Sequence, residues 1–157
     1  MMKMYKKGFT LIELIFTIVI ISVLSVVLVQ KYGGIVNEAK FAQAKATISS
    51  VRSAIIMNRR ANLLKGNPNY PAILDDATVG DEGEELFDGN SSIPMLQYPI
   101  YSKNKSGKWM KIAKNTDKNA SYKYIVSDSE YVVFDYTTSD GKFDCDHTDK
   151  NCKKLIQ

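Results

Sequence analysis

GFTLIELIFTIVIISVLSVVLV, residues 8–29, sets the architecture of this 157-residue chain. From Phe9 to Val29 the run holds 21 residues with a single charge, Glu13. At about 1.5 Å of rise per residue it makes a helix of about 32 Å, enough to cross the roughly 30 Å hydrocarbon core of a bilayer. Its polar residues, Thr10, Glu13, Thr17, Ser22 and Ser25, are too few to give a soluble helix a wet face, so the segment reads as membrane-embedded. Lys3, Lys6 and Lys7 precede it and orient the N-terminus to the cytoplasm, with the rest of the chain translocated.

Two features do not suit a plain anchor. A secretory signal peptide pairs a shorter apolar core with a small-residue cleavage site behind it. The residues after Val29, QKYGGIVNEAKFAQA, offer no such site directly behind the core, and the small residue, Gly8, stands ahead of it. That order implies processing on the cytoplasmic side that spares the helix. The second feature is Glu13. A carboxylate within the span costs up to about 2.5–3.5 kcal/mol at the bilayer centre, less near an end, and is tolerated when it finds a partner. The simpler alternative is an anchor whose Glu13 snorkels to the near interface.

KGFTLIELI, residues 7–15, resembles the N-terminal signature of type IV pilins and type II secretion pseudopilins. Gly8, Phe9, Thr10, Leu11, Ile12 and Glu13 match it position by position, over about a fifth of the chain. The resemblance implies cleavage between Gly8 and Phe9 by a prepilin peptidase and N-methylation of Phe9. It also implies assembly through Glu13, which would pair with the Phe9 amine of a neighbouring subunit. The implied fold is α+β and pilin-like: one long N-terminal helix, with a hydrophobic membrane half and an amphipathic half, packed against a small antiparallel β-sheet with a C-terminal loop.

Outward from that segment the chain divides into a leader (1–8), a transmembrane or filament-core helix (9–30), an amphipathic helix (31–65) and a β-rich headpiece (66–157). Phe41, Ala44, Ile48, Val51 and Ile55 recur at helical spacing, and Lys65-Gly66-Asn67-Pro68 is a stop signal. One helix from Phe9 to Lys65 follows, weakest at Gly33-Gly34, where two separate helices are the alternative. Lys45, Arg52 and Arg59 recur every seven residues along one edge: a solvated face, or partners for the acidic stretch DDATVGDEGEELFD at 75–88. YPIYS (98–102), KWMKIA (108–113), YKYIV (122–126) and EYVVFDYT (130–137) read as strands, with Leu74, Leu86 and Phe87 covering the core.

Charge excludes little. The chain has 21 basic and 17 acidic residues, a formal +4; without Lys3, Lys6 and Lys7 the balance is 18 against 17. The basicity is a topology signal and does not argue for nucleic acid. Cys145 and Cys152, outside the cytoplasm in this topology, favour a disulfide. The alternative is a zinc site with His147, which lacks an evident fourth ligand. Asp140, Asp144, Asp146 and Asp149 cluster in the tail. They are either solvated turn carboxylates or ligands of a structural calcium ion, although the EF-hand pattern is poorly met. No cofactor is required and no nucleophile–base arrangement appears, so the chain does not read as an enzyme.

The function that follows is a structural subunit of a type II secretion pseudopilus or a type IV pilus, assembled from the inner membrane into a helical filament for protein secretion. The partners implied are other pilin or pseudopilin subunits, the prepilin peptidase and an inner-membrane assembly platform. The headpiece would lie in the periplasm, then in a periplasmic or surface filament. The alternative is a minor type IV pilin acting as an adhesion or DNA-uptake module.

Overall fold

The computed structural model describes residues 8–90, 93–114 and 117–157, without the side chains at 27, 29–31, 33, 90 and 93. Lys3, Lys6 and Lys7 and the rest of the leader before Gly8 therefore lie outside the described residues. The chain falls into two compact units, one up to Glu38 and one from Ala39 to Gln157.

Helix α1, Leu11–Leu64, is assigned as one 54-residue element. The alternative of two helices meeting at Gly33-Gly34 is not what forms. In the first unit its described apolar side chains are all open: Leu11 and Ile12 are each 76% exposed, and Ile21 and Val26 are comparably bare. Among the described residues no helix is long and apolar enough to cross a membrane.

In the second unit α1 buries the expected stripe. Ala44, Val51 and Ile55 are 0% exposed and Ile48 is 2%, with Asn58 extending the row by one turn. The helix ends as its sequence dictates. Gly66 takes φ 79°, the left-handed conformation that glycine adopts without steric penalty, and Asn67 N–H returns to Asn62 O at 2.9 Å.

After α1 come β1 (Glu85–Leu86), β2 (Gly89–Asn90), β3 (Ile93–Pro94) and β4 (Ile100–Tyr101), paired as two small antiparallel ladders, β1 with β4 and β2 with β3. Then β5 (Trp109–Ile112), β6 (Ala120–Ile125), β7 (Tyr131–Thr137) and β8 (Lys142–Cys145) form a four-stranded antiparallel meander in chain order. Its register sets Trp109 opposite Tyr124, Tyr122 opposite Phe134, and Tyr136 opposite Phe143. Period-2 alternation along β7 puts Val132, Phe134 and Tyr136 on the buried face. With Leu74, Leu86 and Phe87, all 0% exposed, these rings form one core with the α1 stripe. Phe134 stacks on Phe143 at 5.3 Å, and Phe87 meets Trp109 edge-on at 5.9 Å. Each such side chain contributes about 1.5–3 kcal/mol by leaving water. The fold is α+β and pilin-like, as expected.

The tail departs from its reading as a loose acidic loop. It contains a fourth meander strand, β8, and a short helix, α2 (Lys150–Ile156). Asp149 caps α2, accepting the Asn151 and Cys152 N–H groups at 2.6 and 2.8 Å. Cys152 and Leu155, 0% and 2% exposed, join the core. The Cys145–Cys152 disulfide ties the end of β8 to α2.

Candidate functional site

The start of α1 is built by Thr10-Leu11-Ile12-Glu13 itself. Thr10 is the residue before the first helical one, and its C=O accepts the Leu14 N–H at 3.2 Å. Its Oγ1 accepts the Glu13 N–H at 3.3 Å and donates to Glu13 Oε2 at 3.4 Å, long but reciprocal contacts. This is half of a capping box: Thr10 accepts the N–H of the Glu three residues on, while that carboxylate meets the Thr10 hydroxyl in place of its backbone N–H and sits at the positive end of the helix dipole. The sequence reading assigned Glu13 to assembly and missed this local task, although the T-x-x-E spacing was there to signal it. Gly8 and Phe9 precede the cap, both exposed, Phe9 at 74%. A side chain at Gly8 would meet nothing within 4 Å.

Behind the cap the helix hides its own polarity. Thr17 Oγ1 donates to Leu14 O at 2.8 Å, Ser22 Oγ to Ile18 O at 2.7 Å and Ser25 Oγ to Ile21 O at 2.7 Å. Hydroxyls closed onto the helix backbone are compatible with an apolar environment, where each unsatisfied group would cost several kcal/mol. What remains outward is aliphatic and aromatic surface with one carboxylate near its beginning.

Residues 3–29 match the family model described as the prokaryotic N-terminal methylation motif. That segment is typical of type IV pilins and pseudopilins, a class of filament subunits and not of enzymes, matured by a prepilin peptidase. The search of curated proteins and the search of solved structures each returned no match.

The other residues singled out in the sequence are dispersed. Within its own chain Arg52 pairs outside the 75–88 stretch. Its Nη2 pairs with Asp144 Oδ1 at 2.8 Å and its Nε donates to Phe143 O at 2.9 Å. Arg59 lies over the Tyr70 ring, 4.4 Å from its centroid, and donates to Tyr70 Oη and Pro68 O. Lys45 is exposed.

The four tail aspartates do not converge: among the described residues no group of three or more His, Cys, Asp or Glu side chains could hold a metal ion. Asp140 faces Lys142, Asp144 is shared by Arg52 and His147, Asp146 bonds Thr148, and Asp149 caps α2. The Lys142 N–H holds the Asp140 carboxyl below the ordinary range, and the Thr148 N–H does the same for Asp146. The disulfide removes both sulfurs from the zinc alternative.

The acidic stretch instead supplies the core. Asp75 is fully buried and pairs with Lys111 Nζ at 2.7 Å. It also accepts Tyr122 O–H at 2.7 Å, Phe87 N–H at 3.0 Å and Ala77 N–H at 3.3 Å. Nothing local in the sequence distinguishes Asp75 from Asp76. Apart from the Ala77 N–H, its partners come from 12 to 47 positions away.

Proposed function

We propose that the chain is a structural subunit of a type II secretion pseudopilus or type IV pilus. The leader 1–8 is cut off between Gly8 and Phe9, and the new Phe9 amine is N-methylated. Residues 9–30 hold the precursor in the inner membrane in a single pass, N-terminus in the cytoplasm, and later pack in the filament core. Residues 31–65 carry the amphipathic half of the helix and 66–157 the periplasmic headpiece.

The observation that supports this best is the Leu11–Val26 stretch of α1: a capped, outward-facing apolar surface with internally satisfied hydroxyls and one exposed carboxylate, Glu13. A cationic amine from a neighbouring Phe9 would neutralise that carboxylate out of water, where an unpaired charge is costly. The weak 3.4 Å contact from Thr10 leaves Oε2 able to take a second donor.

The test is sedimentable filament formation by wild type and Glu13→Gln in cells carrying the assembly machinery. Glutamine keeps a side-chain acceptor for the cap and removes only the charge. The expected variant is cleaved and membrane-bound but poorly incorporated. Normal filaments from Glu13→Gln would refute the pairing with the Phe9 amine.

A further inference from the structure

The Lys111–Asp75 pair is surrounded by more chemistry than an ion pair requires. Asp75 is 0% exposed at its side chain and Lys111 16%, and Nζ stands 2.7 Å from Oδ1 and 3.3 Å from the Asp75 backbone carbonyl. The other carboxyl oxygen, Oδ2, accepts two donors, Phe87 N–H at 3.0 Å and Tyr122 O–H at 2.7 Å. Two preorganised donors on one oxygen are the arrangement that stabilises a tetrahedral oxyanion. Oδ1, facing the amine, accepts only the weaker 3.3 Å contact from Ala77 N–H besides Lys111.

Phe87 reaches this position through φ 59°, a left-handed conformation that a bulky residue adopts only when its surroundings hold it. Tyr122 stays protonated: burial first, then Asp75's charge and hydrogen bond, push its hydroxyl far above the ordinary value.

The geometry points to a covalent modification site: Lys111 Nζ and Asp75 Cγ condense to an intramolecular isopeptide bond. A proton shift from Nζ to Oδ1 turns the ion pair into neutral amine and acid with no change in net charge. The amine lone pair attacks Cγ, and the charge that develops on Oδ2 is met by Phe87 N–H and Tyr122 O–H. A proton passes from the new C–N nitrogen to the Oδ1 hydroxyl. The Cγ–Oδ1 bond breaks, water leaves, and the Oδ2 oxyanion collapses to the amide carbonyl. Nothing is oxidised or reduced and no co-reactant enters. Fixed apposition replaces a bimolecular encounter. The packed rings of Phe87, Trp109 and Tyr122 keep bulk water from reversing the step. The inference stands on the headpiece alone and does not rest on the filament reading.

The test is peptide mapping by mass spectrometry of the full chain purified in detergent, then denatured, reduced and digested with trypsin. The expected result is a branched peptide joining the segments that contain Asp75 and Lys111, one water lighter than their sum. Lys111→Arg, which keeps the charge but supplies no condensing amine, is expected to give linear peptides only. Linear peptides alone from folded wild type, with the disulfide intact before reduction, would establish a plain ion pair and overturn the proposal.

Discussion

Gly141→Ala is the most discriminating single substitution in the headpiece. Gly141 sits in the turn between β7 and β8 at φ 69°, its N–H bonded to Thr137 O at 2.9 Å. Alanine there carries a left-handed penalty of about 1–2 kcal/mol. A Cβ would also fall inside the Tyr70 ring, against the Cδ1, Cε1 and Cζ atoms. Tyr70 cannot swing away without loss, since Arg59 covers the ring at 4.4 Å and holds its hydroxyl at 2.9 Å. Forcing a methyl group into such a contact costs about 1–3 kcal/mol. The expected destabilisation is the sum, about 2–5 kcal/mol. The assay is urea unfolding of the full chain in detergent, read by the fluorescence of the sole tryptophan, Trp109, which is 2% exposed. The second arm is Gly141→Ala in a Tyr70→Ala background. With the ring gone, only the backbone part of about 1–2 kcal/mol should remain. A change below about 0.5 kcal/mol in wild type, or equal costs in both backgrounds, would refute the steric account.

Three further outcomes are expected. Reducing Cys145–Cys152, which closes a seven-residue separation, should lower headpiece stability by about 2–3 kcal/mol without unfolding it, because the buried rings contribute far more. Loss of all near-UV dichroism on reduction would contradict this. Arg52→Ala should cost about 1–2 kcal/mol by urea unfolding, losing a half-exposed pair with Asp144 and a hydrogen bond to Phe143 O. Arg52→Lys, which cannot serve both acceptors in a fork, should recover less than half, and full recovery would show that charge alone matters. Asp140 and Asp146 have folded pKa values below the ordinary 3.8, so their stabilisation is present above that value and is lost as pH falls through the folded values. Protection of the Lys142 and Thr148 amides, measured against their intrinsic exchange rates, should therefore fall in that acid window. Asp140→Asn and Asp146→Asn should flatten the response, and protection unchanged down to the acid limit would argue against the two turns.

What could be read from the sequence was whatever depended on period or on a short fixed spacing. The α1 stripe from Phe41 to Ile55, the alternation of Val132, Phe134 and Tyr136, and the prepilin-type start each declare themselves within a dozen residues. The losses have a common cause. β8 has four residues and one buried apolar side chain, Phe143, between Lys142 and Asp144, so its strand character comes from pairing with β7. α2 is shorter than any periodicity test needs, although its Asp149 cap was visible. The roles of Asp75 and Arg52 escape the sequence because their partners, Lys111, Tyr122, Phe143 and Asp144, are distant in the chain and near only in the fold.

The four-stranded meander closes both of its flanks. On the β5 side, Lys103 N–H takes Trp109 O at 2.9 Å and Gly80 N–H takes Lys111 O at 3.1 Å. On the β8 side, the Arg52 guanidinium takes Phe143 O at 2.9 Å. Open strand edges are templates on which further strands add, a hazard for chains held at high local density. Here those carbonyls are already occupied by a loop on one flank and by the helix on the other. Crowded copies of this headpiece therefore have no ladder to extend at these positions.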